Sequence, residues 1–334
     1  MSLNILRPGL LTTVQDLGRH GYQKDGIIVS GAMDATALRV GNLLVGNAEE
    51  AAGLEITLLG PKICFEADHL IALTGANLSP TLNGQPVRLH RATWVVAGVE
   101  LAFGAPVAGS RAYLAVAGGL ATAPVLGSRS TYLRAGFGGL HGRALQVGDA
   151  LPVGNPGTVG QQLGQQLAEG AAAGWAQARW APGPELRPKS ARHPIVRTIR
   201  GPEFATFSSR SQQAFWQQPF TVTTEADRMG FRLQGPLLER ETTAELLSTA
   251  VAFGTVQVPA GGQAIVLLAD HQTTGGYPRI AQVISADFSV LAQLAPGQAF
   301  RFVEVSLAEA QALYLAQEEQ LRALRRGIAL KVLT

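Results

Sequence analysis

The sequence is poor in cysteine, and this limits the chemistry that it can carry. Its single cysteine, Cys64, lies between Ile63 and Phe65, so we interpret it as a small buried apolar residue. One cysteine cannot form a disulfide within the chain. The six histidines stand at no metal-ligand spacing with each other or with Cys64, and the sequence therefore predicts no metal site.

Motifs that hold a nucleotide or carry biotin are also missing. No glycine is followed directly by lysine, so the phosphate-binding loop Gly-x-x-x-x-Gly-Lys-Ser/Thr is absent. Met1, Met33 and Met229 have no lysine beside them, which excludes the Met-Lys-Met sequence at which biotin is attached. We expect no covalent biotin on this chain, and we expect any ATP to be bound by a partner protein.

Long apolar runs and concentrated charge are absent as well. No uninterrupted apolar run approaches the roughly 20 residues that span a bilayer, and residues 1–8 lack the apolar core of a signal peptide. The net charge of +3 comes from arginines scattered among acidic residues, without a basic run interleaved with aromatic residues. We expect a cytoplasmic protein with neither a membrane nor a nucleic acid as its partner.

Glycine and proline, in contrast, are spread along the whole chain. With 39 Gly and 18 Pro, the sequence favours many short strands and turns over long helices, and Asn83-Gly84 is typical of a tight hairpin turn. The spacing of the apolar runs suits closed β-barrels. We predict a mainly β protein in which residues 1–160 form one barrel, 161–193 a connector, and 194–334 a second barrel with a terminal helix.

Two helices carry recognisable start and stop signals. Ser30 is placed to cap an amphipathic helix that ends before Gly46. Ser306 and Glu309 have the spacing of a capping box at the start of the final helix, and Gly327 is predicted to stop it.

Two parts of the chain repeat one pattern. Arg19-His20-Gly21-Tyr22 and Arg228-Met229-Gly230-Phe231 are both Arg-x-Gly-aromatic units, and they begin about two hundred residues apart. The chain therefore resembles two versions of one module.

The most site-like segment follows the apolar run 264–269. There the predicted strand opens into Gln272-Thr273-Thr274-Gly275-Gly276-Tyr277, which offers amide and hydroxyl groups and bare backbone N–H groups to a ligand. Thr74-Gly75-Ala76-Asn77 ends another strand in a similar way. The two segments are either equivalent ligand loops or merely equivalent hairpin ends.

Charged residues in the glycine-broken loops permit two interpretations. Gln15, Asp16 and Arg19 are able to bind an anion through charge-assisted hydrogen bonds, or Asp16 and Arg19 pair internally and stiffen a turn. Asp227 and Arg228 permit the same two interpretations.

The segment from Ser30 to Asp34 also permits two interpretations. It brings a hydroxyl and a helix N-terminus to a carboxylate or phosphate, or it supplies an ordinary helix cap.

Taken together, these motifs resemble the biotin-dependent carboxyltransferase-like family. The resemblance runs in order through residues 3–304 and is carried by segments 12–21, 30–34, 54–57, 113–116, 127–131, 227–230 and 272–278. The family includes the C-type subunit of the bacterial ATP-dependent 5-oxoprolinase, the second subunit of allophanate hydrolase, the KipA antagonist of a kinase inhibitor, and part of urea carboxylase.

The resemblance implies a pair of cyclophilin-like barrels and a function. The leading expectation is the C-type subunit of an ATP-dependent 5-oxoprolinase, which hydrolyses the lactam of 5-oxo-L-proline to L-glutamate. Its expected partners are two further oxoprolinase subunits, a KipI-like one of the B type and a third of the A type. Such a protein is expected to be inactive without its partners. The alternatives are a carboxyltransferase component of a biotin-dependent urea- or allophanate-type carboxylase, and a non-catalytic antagonist of a KipI-like kinase inhibitor.

Site residues follow from these motifs as hypotheses. The candidates for a catalytic role are Arg19, Arg228 and Tyr277. The candidates for substrate binding are Gln15, Asp16, Ser30, Asp34, Thr74, Asn77, Asp227, Gln272, Thr273, Thr274, Gly275 and Gly276.

Overall fold

The computed structural model describes residues 2–187, 193–242 and 246–332, and the chain divides into two compact units. The first unit consists of Met1–Arg19, Asp34–Pro188 and Glu318–Thr334. The second consists of His20–Met33 and Lys189–Gln317. Each unit is therefore assembled from separate stretches of sequence.

The first unit is built mainly from short strands. In chain order these are β1 (Ser2–Arg7), β2 (Leu11–Gln15), β3 (Gly53–Thr57), β4 (Lys62–Phe65), β5 (His69–Asn77), β6 (Thr81–Leu82), β7 (Gln85–Pro86), β8 (Ala92–Val95), β9 (Glu100–Ala102), β10 (Ala108–Val116), β11 (Ala150–Pro152) and β12 (Trp175–Gln177). Among the described residues they form two six-stranded sheets, in the orders β11-β1-β4-β9-β6-β7 and β12-β8-β5-β10-β3-β2. The two sheets enclose a common hydrophobic core, and the closure of this unit into a barrel stays a prediction.

The central strand β5 is buried on both faces. Ile71 and Leu73 point into one hydrophobic cluster, whereas Leu70 and Ala72 point into another. Because successive side chains of a strand point to opposite faces, this strand is apolar almost throughout. Helix α1 (Ala35–Leu44) covers the face of β5 that carries Leu70 and Ala72. Its Val40 belongs to the same hydrophobic cluster as these two residues.

The second unit contains the closed barrel that the sequence predicted. Its strands are β13 (Ile195–Arg200), β14 (Phe220–Val222), β15 (Gly230–Gln234), β16 (Thr249–Ala250), β17 (Thr255–Gln257), β18 (Ile265–Leu267), β19 (Thr274–Gly275), β20 (Arg279–Val283) and β21 (Ala299–Glu304). The barrel order is β13-β20-β17-β18-β15-β14-β21, while β16 and β19 pair as a separate ribbon. The prediction of a mainly β protein is confirmed.

Aromatic packing fills the barrel. The rings of Phe215 and Phe302 stack with centroids 4.7 Å apart, and Phe220 packs edge-on against Phe302. Met33 belongs to the same buried cluster, although it lies far away in sequence. The segment His20–Met33 therefore contributes to the core of the second unit.

The remaining helices are α2 (Thr158–Ala168), α3 (Ser209–Gln217), α4 (Phe288–Ala292) and α5 (Leu307–Val332). Short 3-10 turns occur at Gln23–Asp25, Pro184–Leu186, Phe204–Thr206 and Ser285–Asp287. In the described part of the chain no helix is long and apolar enough to cross a membrane.

Two predicted helix boundaries are wrong. Asp34, and not Ser30, caps α1, because its carboxylate accepts a hydrogen bond from the Ala37 N–H at 2.9 Å. Helix α5 starts as predicted, with the Ser306 hydroxyl accepting from Glu309 N–H at 3.1 Å, but it runs through Gly327 to Val332. Burial of Ile328 one residue after this glycine stabilises the continued helix.

The segment predicted as a connector is largely folded into the first unit. Helix α2 buries Leu163 against that unit, and β12 pairs with β8. The unit boundaries thus differ from residues 1–160, 161–193 and 194–334 because long-range packing decides them. Residues 188–192 of the predicted connector lie outside the described residues, and the boundaries of independently folding domains stay a prediction.

Candidate functional site

In the first unit, Asp16 is the centre of a buried hydrogen-bond network. Its carboxylate accepts from the Gly18 N–H at 2.8 Å, the Ser128 hydroxyl at 2.7 Å, the Arg129 N–H and the Ser130 hydroxyl. Four donors on one carboxylate satisfy most of its acceptor capacity. The geometry favours a structural role for Asp16, which ties β2 to the 128–130 segment, and its predicted role in binding stays a hypothesis.

Arg19 and Gln15 lie beside this network. The Arg19 side chain is fully buried, donates to the Ser130 carbonyl at 2.6 Å, and lies over the Phe137 ring with 4.7 Å between its guanidinium carbon and the ring centroid. The Gln15 amide donates to the Thr131 carbonyl at 3.2 Å, while its own oxygen has no partner among the described residues. The catalytic role predicted for Arg19 stays a prediction.

A second buried cluster of the first unit surrounds the start of α1. The Tyr113 hydroxyl donates to Glu55 at 2.7 Å and accepts from the Asp34 N–H at 2.8 Å. Burial, with Glu55 and Asp34 as nearby negative charges, raises the pKa of Tyr113 well above its ordinary value of 10.0. Tyr113 is therefore a neutral hydrogen-bonding bridge at physiological pH.

Thr74 and Asn77, the strand-end candidates of the first unit, make local contacts. The Thr74 hydroxyl donates to the Ala37 carbonyl of α1 at 2.7 Å. The Asn77 side-chain oxygen accepts from the Ser79 N–H at 3.0 Å. Both contacts are those of well-ordered strand and helix ends, and the predicted ligand contacts remain untested.

In the second unit, the structure brings together Ser30 and Arg228, which belong to separate motifs in the sequence. Both contact the Asp270 carboxylate: the Ser30 hydroxyl donates to it at 2.7 Å, and Arg228 donates from Nε at 2.9 Å and from Nη2 at 3.1 Å. Arg228 Nη2 also donates to the Gly31 carbonyl at 2.6 Å. All three side chains are buried, so this is an ion pair in a low-dielectric setting.

Asp227 precedes this cluster and serves the backbone. Its carboxylate accepts from the Met229 N–H at 2.8 Å and from the Gly230 N–H at 3.1 Å. Asp227 therefore stabilises a turn, while Arg228 forms an ion pair with Asp270. The predicted role of Asp227 in binding stays a hypothesis.

The glycine-rich loop begins at Gln272, two residues after Asp270. Thr274 and Gly275 pair with Ala250 and Thr249 in the β16–β19 ribbon. A Cβ atom on Gly275 would lie 2.6 Å from the Gln257 side-chain nitrogen, so only glycine fits there without displacing Gln257. The loop is held in a defined shape.

His271 extends the same cluster into the loop. Its ring Nδ1 lies 2.6 Å from the Gln272 carbonyl, an arrangement in which Nδ1 carries the proton. Burial lowers the pKa of His271 below its ordinary value, although the Gln272 carbonyl and the Asp270 carboxylate oppose this. His271 is therefore a neutral donor to the Gln272 backbone near neutral pH.

A groove of about 810 Å³ opens beside the end of the loop. Gly276 and Tyr277 line it together with apolar residues such as Leu237 and Val258. Tyr277 is 52% exposed and Leu237 is 60% exposed, so apolar surface is accessible at its rim. A concave, largely apolar surface with a few polar groups is typical of ligand sites.

Sequence reasoning missed several residues that organise these clusters. In the sequence Asp270 stands out only as the end of an apolar strand, and Glu55 and Tyr113 only as parts of family motifs. An acid inside or directly after an apolar run was the available signal, because a carboxylate is buried only when it has partners.

Within the described residues, no group of three or more His, Cys, Asp or Glu side chains is arranged to hold a metal ion.

The chain is similar to named proteins over almost its whole length. It is 45% identical over 318 residues to the C subunit of 5-oxoprolinase from Escherichia coli, covering 95% of both chains. It is 40% identical to the C subunit of 5-oxoprolinase from Haemophilus influenzae, covering 97% of this chain and 98% of that protein. The crystal structure of Kluyveromyces lactis urea carboxylase superposes with a TM-score of 0.87 at 27% identity, covering 98% of this chain and 29% of that one.

A family model accounts for most of the chain. The model described as carboxyltransferase domain, subdomain A and B, matches residues 25–304. This range includes Ser30, Arg228, Asp270 and the glycine-rich loop. The chain therefore belongs to the carboxyltransferase domain family of subdomains A and B.

Proposed function

We propose that the chain is the C-type subunit of a 5-oxoprolinase that hydrolyses 5-oxo-L-proline to L-glutamate with partner subunits and ATP. The observation that carries this proposal is the 45% identity to the C subunit of 5-oxoprolinase from Escherichia coli across 95% of both chains. Such similarity over the entire length supports a shared role within a complex.

The reaction explains why ATP is required. An unstrained lactam is a poor electrophile, since its nitrogen donates electrons to the carbonyl. Transfer of the γ-phosphoryl group of ATP to the carbonyl oxygen activates the carbonyl carbon and releases ADP. A first water adds to this carbon and the C–N bond breaks, which leaves an acyl phosphate and the free amine. A second water hydrolyses the acyl phosphate to glutamate and phosphate. The transition states carry negative charge that cationic side chains and backbone N–H groups stabilise.

This chain supplies groups of that kind in its second unit. Arg228 is a cation oriented by Asp270, and the loop that follows Asp270 leads to a groove lined by Gly276 and Tyr277. We place the nucleotide on a partner, because the sequence has no phosphate-binding loop. The partners of this proposal are two further oxoprolinase subunits, a KipI-like one of the B type and a third of the A type, and the chain alone is expected to be inactive.

The test is reconstitution of the complex. The chain is co-purified with candidate partners of both types and supplied with 5-oxoproline and ATP, and glutamate and ADP are measured. We expect equal amounts of both products, and none when this chain is left out. A complete complex that consumes ATP without releasing glutamate would exclude the proposal.

Tyr277 offers a sharper test within the same complex. Tyr277→Ala is expected to lower turnover about tenfold or more, because loss of a positioning contact at a ligand site has effects of this size. Its effect on stability should stay within about 0.5 kcal/mol, since the ring is 52% exposed. Tyr314→Ala is the matched control, as Tyr314 is 44% exposed on helix α5 and is not among the residues that line the groove. Equal effects of the two variants on turnover would remove Tyr277 from the site.

A carboxyltransferase component is the second candidate. It is favoured by the family model and by the TM-score of 0.87 to urea carboxylase. This function requires a biotin-bearing partner, because the chain has no Met-Lys-Met sequence. Turnover of 5-oxoproline in the absence of biotin would exclude it.

A further inference from the structure

A closed ring of hydrogen bonds in the second unit passes through Arg228, Asp270 and the dipeptide Ser30-Gly31. The Ser30 hydroxyl donates to Asp270 Oδ1, Asp270 accepts the Nε and Nη2 edge of Arg228, and Arg228 Nη2 donates to the Gly31 carbonyl. The ring therefore begins and ends on adjacent residues. The guanidinium is held in one plane by two contacts, one with the Asp270 carboxylate and one with the Gly31 carbonyl.

The backbone reinforces this arrangement. The Asp270 N–H donates to the Arg228 carbonyl at 2.8 Å, so the two residues are joined through both main chain and side chain. Ser30 has a φ of 58° and Gly31 a φ of 93°. A serine in the left-handed region carries strain, and such strain persists where surrounding contacts fix the residue.

We propose that Asp270 is a positioning residue. Together with Ser30, it sets the orientation in which the Arg228 guanidinium faces the negative charge of the transition state. Asp270 is not itself in contact with substrate in this proposal; it acts by fixing the guanidinium and the start of the glycine-rich loop two residues later. The expected effect of Asp270 on turnover rests on the proposed function. Its effect on the orientation of Arg228 does not depend on that function.

The first measurement needs no substrate. Exchange of the Arg228 Nε proton with solvent is followed by nitrogen-edited NMR on the isolated, full-length chain. Asp270→Asn and Ser30→Gly are expected to accelerate this exchange about tenfold or more, because each removes a hydrogen bond made with a charged group. Ser30→Gly removes the hydroxyl together with its β-carbon, and it adds no strain because glycine adopts a φ of 58° readily. Unchanged exchange in both variants would overturn the proposal.

The matched control is another buried carboxylate of the same unit. Asp287 is 2% exposed and binds Arg197 through both of its oxygens, as Asp270 binds Arg228. Asp287→Asn is expected to lower stability while leaving the exchange of the Arg228 Nε proton unaltered. If it speeds that exchange as strongly as Asp270→Asn does, general loosening explains the result and positioning by Asp270 is excluded.

The second measurement uses the assembled complex and chemical rescue. Asp270→Asn should lower kcat tenfold to about a hundredfold with less change in KM, and Asp287→Asn should leave kcat intact.

Free guanidinium should restore part of the activity of Arg228→Ala, but not of Arg228→Ala/Asp270→Asn, because the carboxylate that binds the guanidinium is gone. Equal rescue of both variants would contradict the positioning role. A complex that never converts 5-oxoproline removes the proposed function, while proton exchange still decides whether Asp270 orients Arg228.

Discussion

Left-handed backbone at polar residues is a recurring feature at the residue scale. Ser30, His90 and His141 all have a φ of 58°. Residues other than glycine adopt this region at a cost in conformational energy. Their surroundings differ, since Ser30 and His90 are buried whereas His141 is exposed, and this difference makes the two histidines a natural pair for comparison.

His90 should make the stability of the protein depend on pH. Burial, together with the positive charge of Arg187, lowers the pKa of His90 from 6.5 to about 4. Between these values the unfolded chain binds the proton more readily than the folded one, so stability is full above pH 6.5 and is lost as pH falls toward 4. We expect a loss of about 2 kcal/mol from this residue between pH 7 and pH 5.

Urea unfolding of the wild type and of His90→Asn at the two pH values measures this loss. Asparagine tolerates the left-handed backbone, and it does not titrate. His141→Asn, at the same φ of 58° but exposed, should retain the pH dependence of the wild type. If His90→Asn retains it too, His90 is not the group responsible.

At the scale of single elements, local sequence signals located the Asn83-Gly84 turn and the helices α1 and α5, but not the exact ends of these two helices. Asn83 and Gly84 have φ values of 47° and 78°, which is the hairpin turn that their sequence predicts. The cap of α1 was misassigned because Ser30 and Asp34 are both good caps, and only the fold reveals that Ser30 is committed to Asp270. Local chemistry proposes candidates, and long-range contacts choose among them.

Helix α5 illustrates how packing overrides a stop signal. Gly327 costs about 1 kcal/mol in a helix interior, while burial of Leu321 and Ile328 contributes more than this on either side of it. In the sequence, Leu321 and Leu324 have the spacing of one apolar stripe along the final helix. The sequence does not reveal the packing partners of this stripe, which are residues of α1 and of the 180–186 segment.

The energetic importance of this stripe is testable. Leu321→Ala is expected to lower the free energy of unfolding by about 2–5 kcal/mol, because Leu321 is 1% exposed and its truncation leaves a cavity. Leu330→Ala on the same helix should change it by less than about 0.5 kcal/mol, since Leu330 is 64% exposed. Chemical denaturation of both variants provides the comparison, and similar losses would show that α5 is not anchored through Leu321.

At the scale of the whole molecule, the units are defined by contacts rather than by contiguous sequence. A boundary near residue 160 followed from composition, because residues 161–193 are rich in Gly, Ala and Gln. Composition does not report that Leu163 is buried or that Met33 belongs to the barrel core. The candidate site shows the same limit. The sequence predicts Ser30 and Arg228 as site residues but not Asp270, and the three are grouped through contacts such as that between Ser30 and Asp270, which are 240 residues apart.

The end of the chain should accordingly stabilise the first unit. Glu318 accepts two hydrogen bonds from Arg39 of α1, at 2.6 and 2.8 Å, and Leu321 and Ile328 complete a core cluster of that unit. A chain that stops after Gln317 is expected to lose protection from hydrogen exchange in α1 and in residues 180–186. The strands of the barrel should keep theirs. Hydrogen exchange read by mass spectrometry tests this, and uniform loss across both units would contradict it.

The interleaved chain path also has a consequence during synthesis on the ribosome. The segment His20–Met33 emerges early, but its core partners in Lys189–Gln317 are translated more than a hundred and fifty residues later. At a synthesis rate of about 5–20 residues per second, this delay is roughly eight to thirty seconds. During that interval Met33 has no barrel to enter, and its side chain lies outside the core that later buries it.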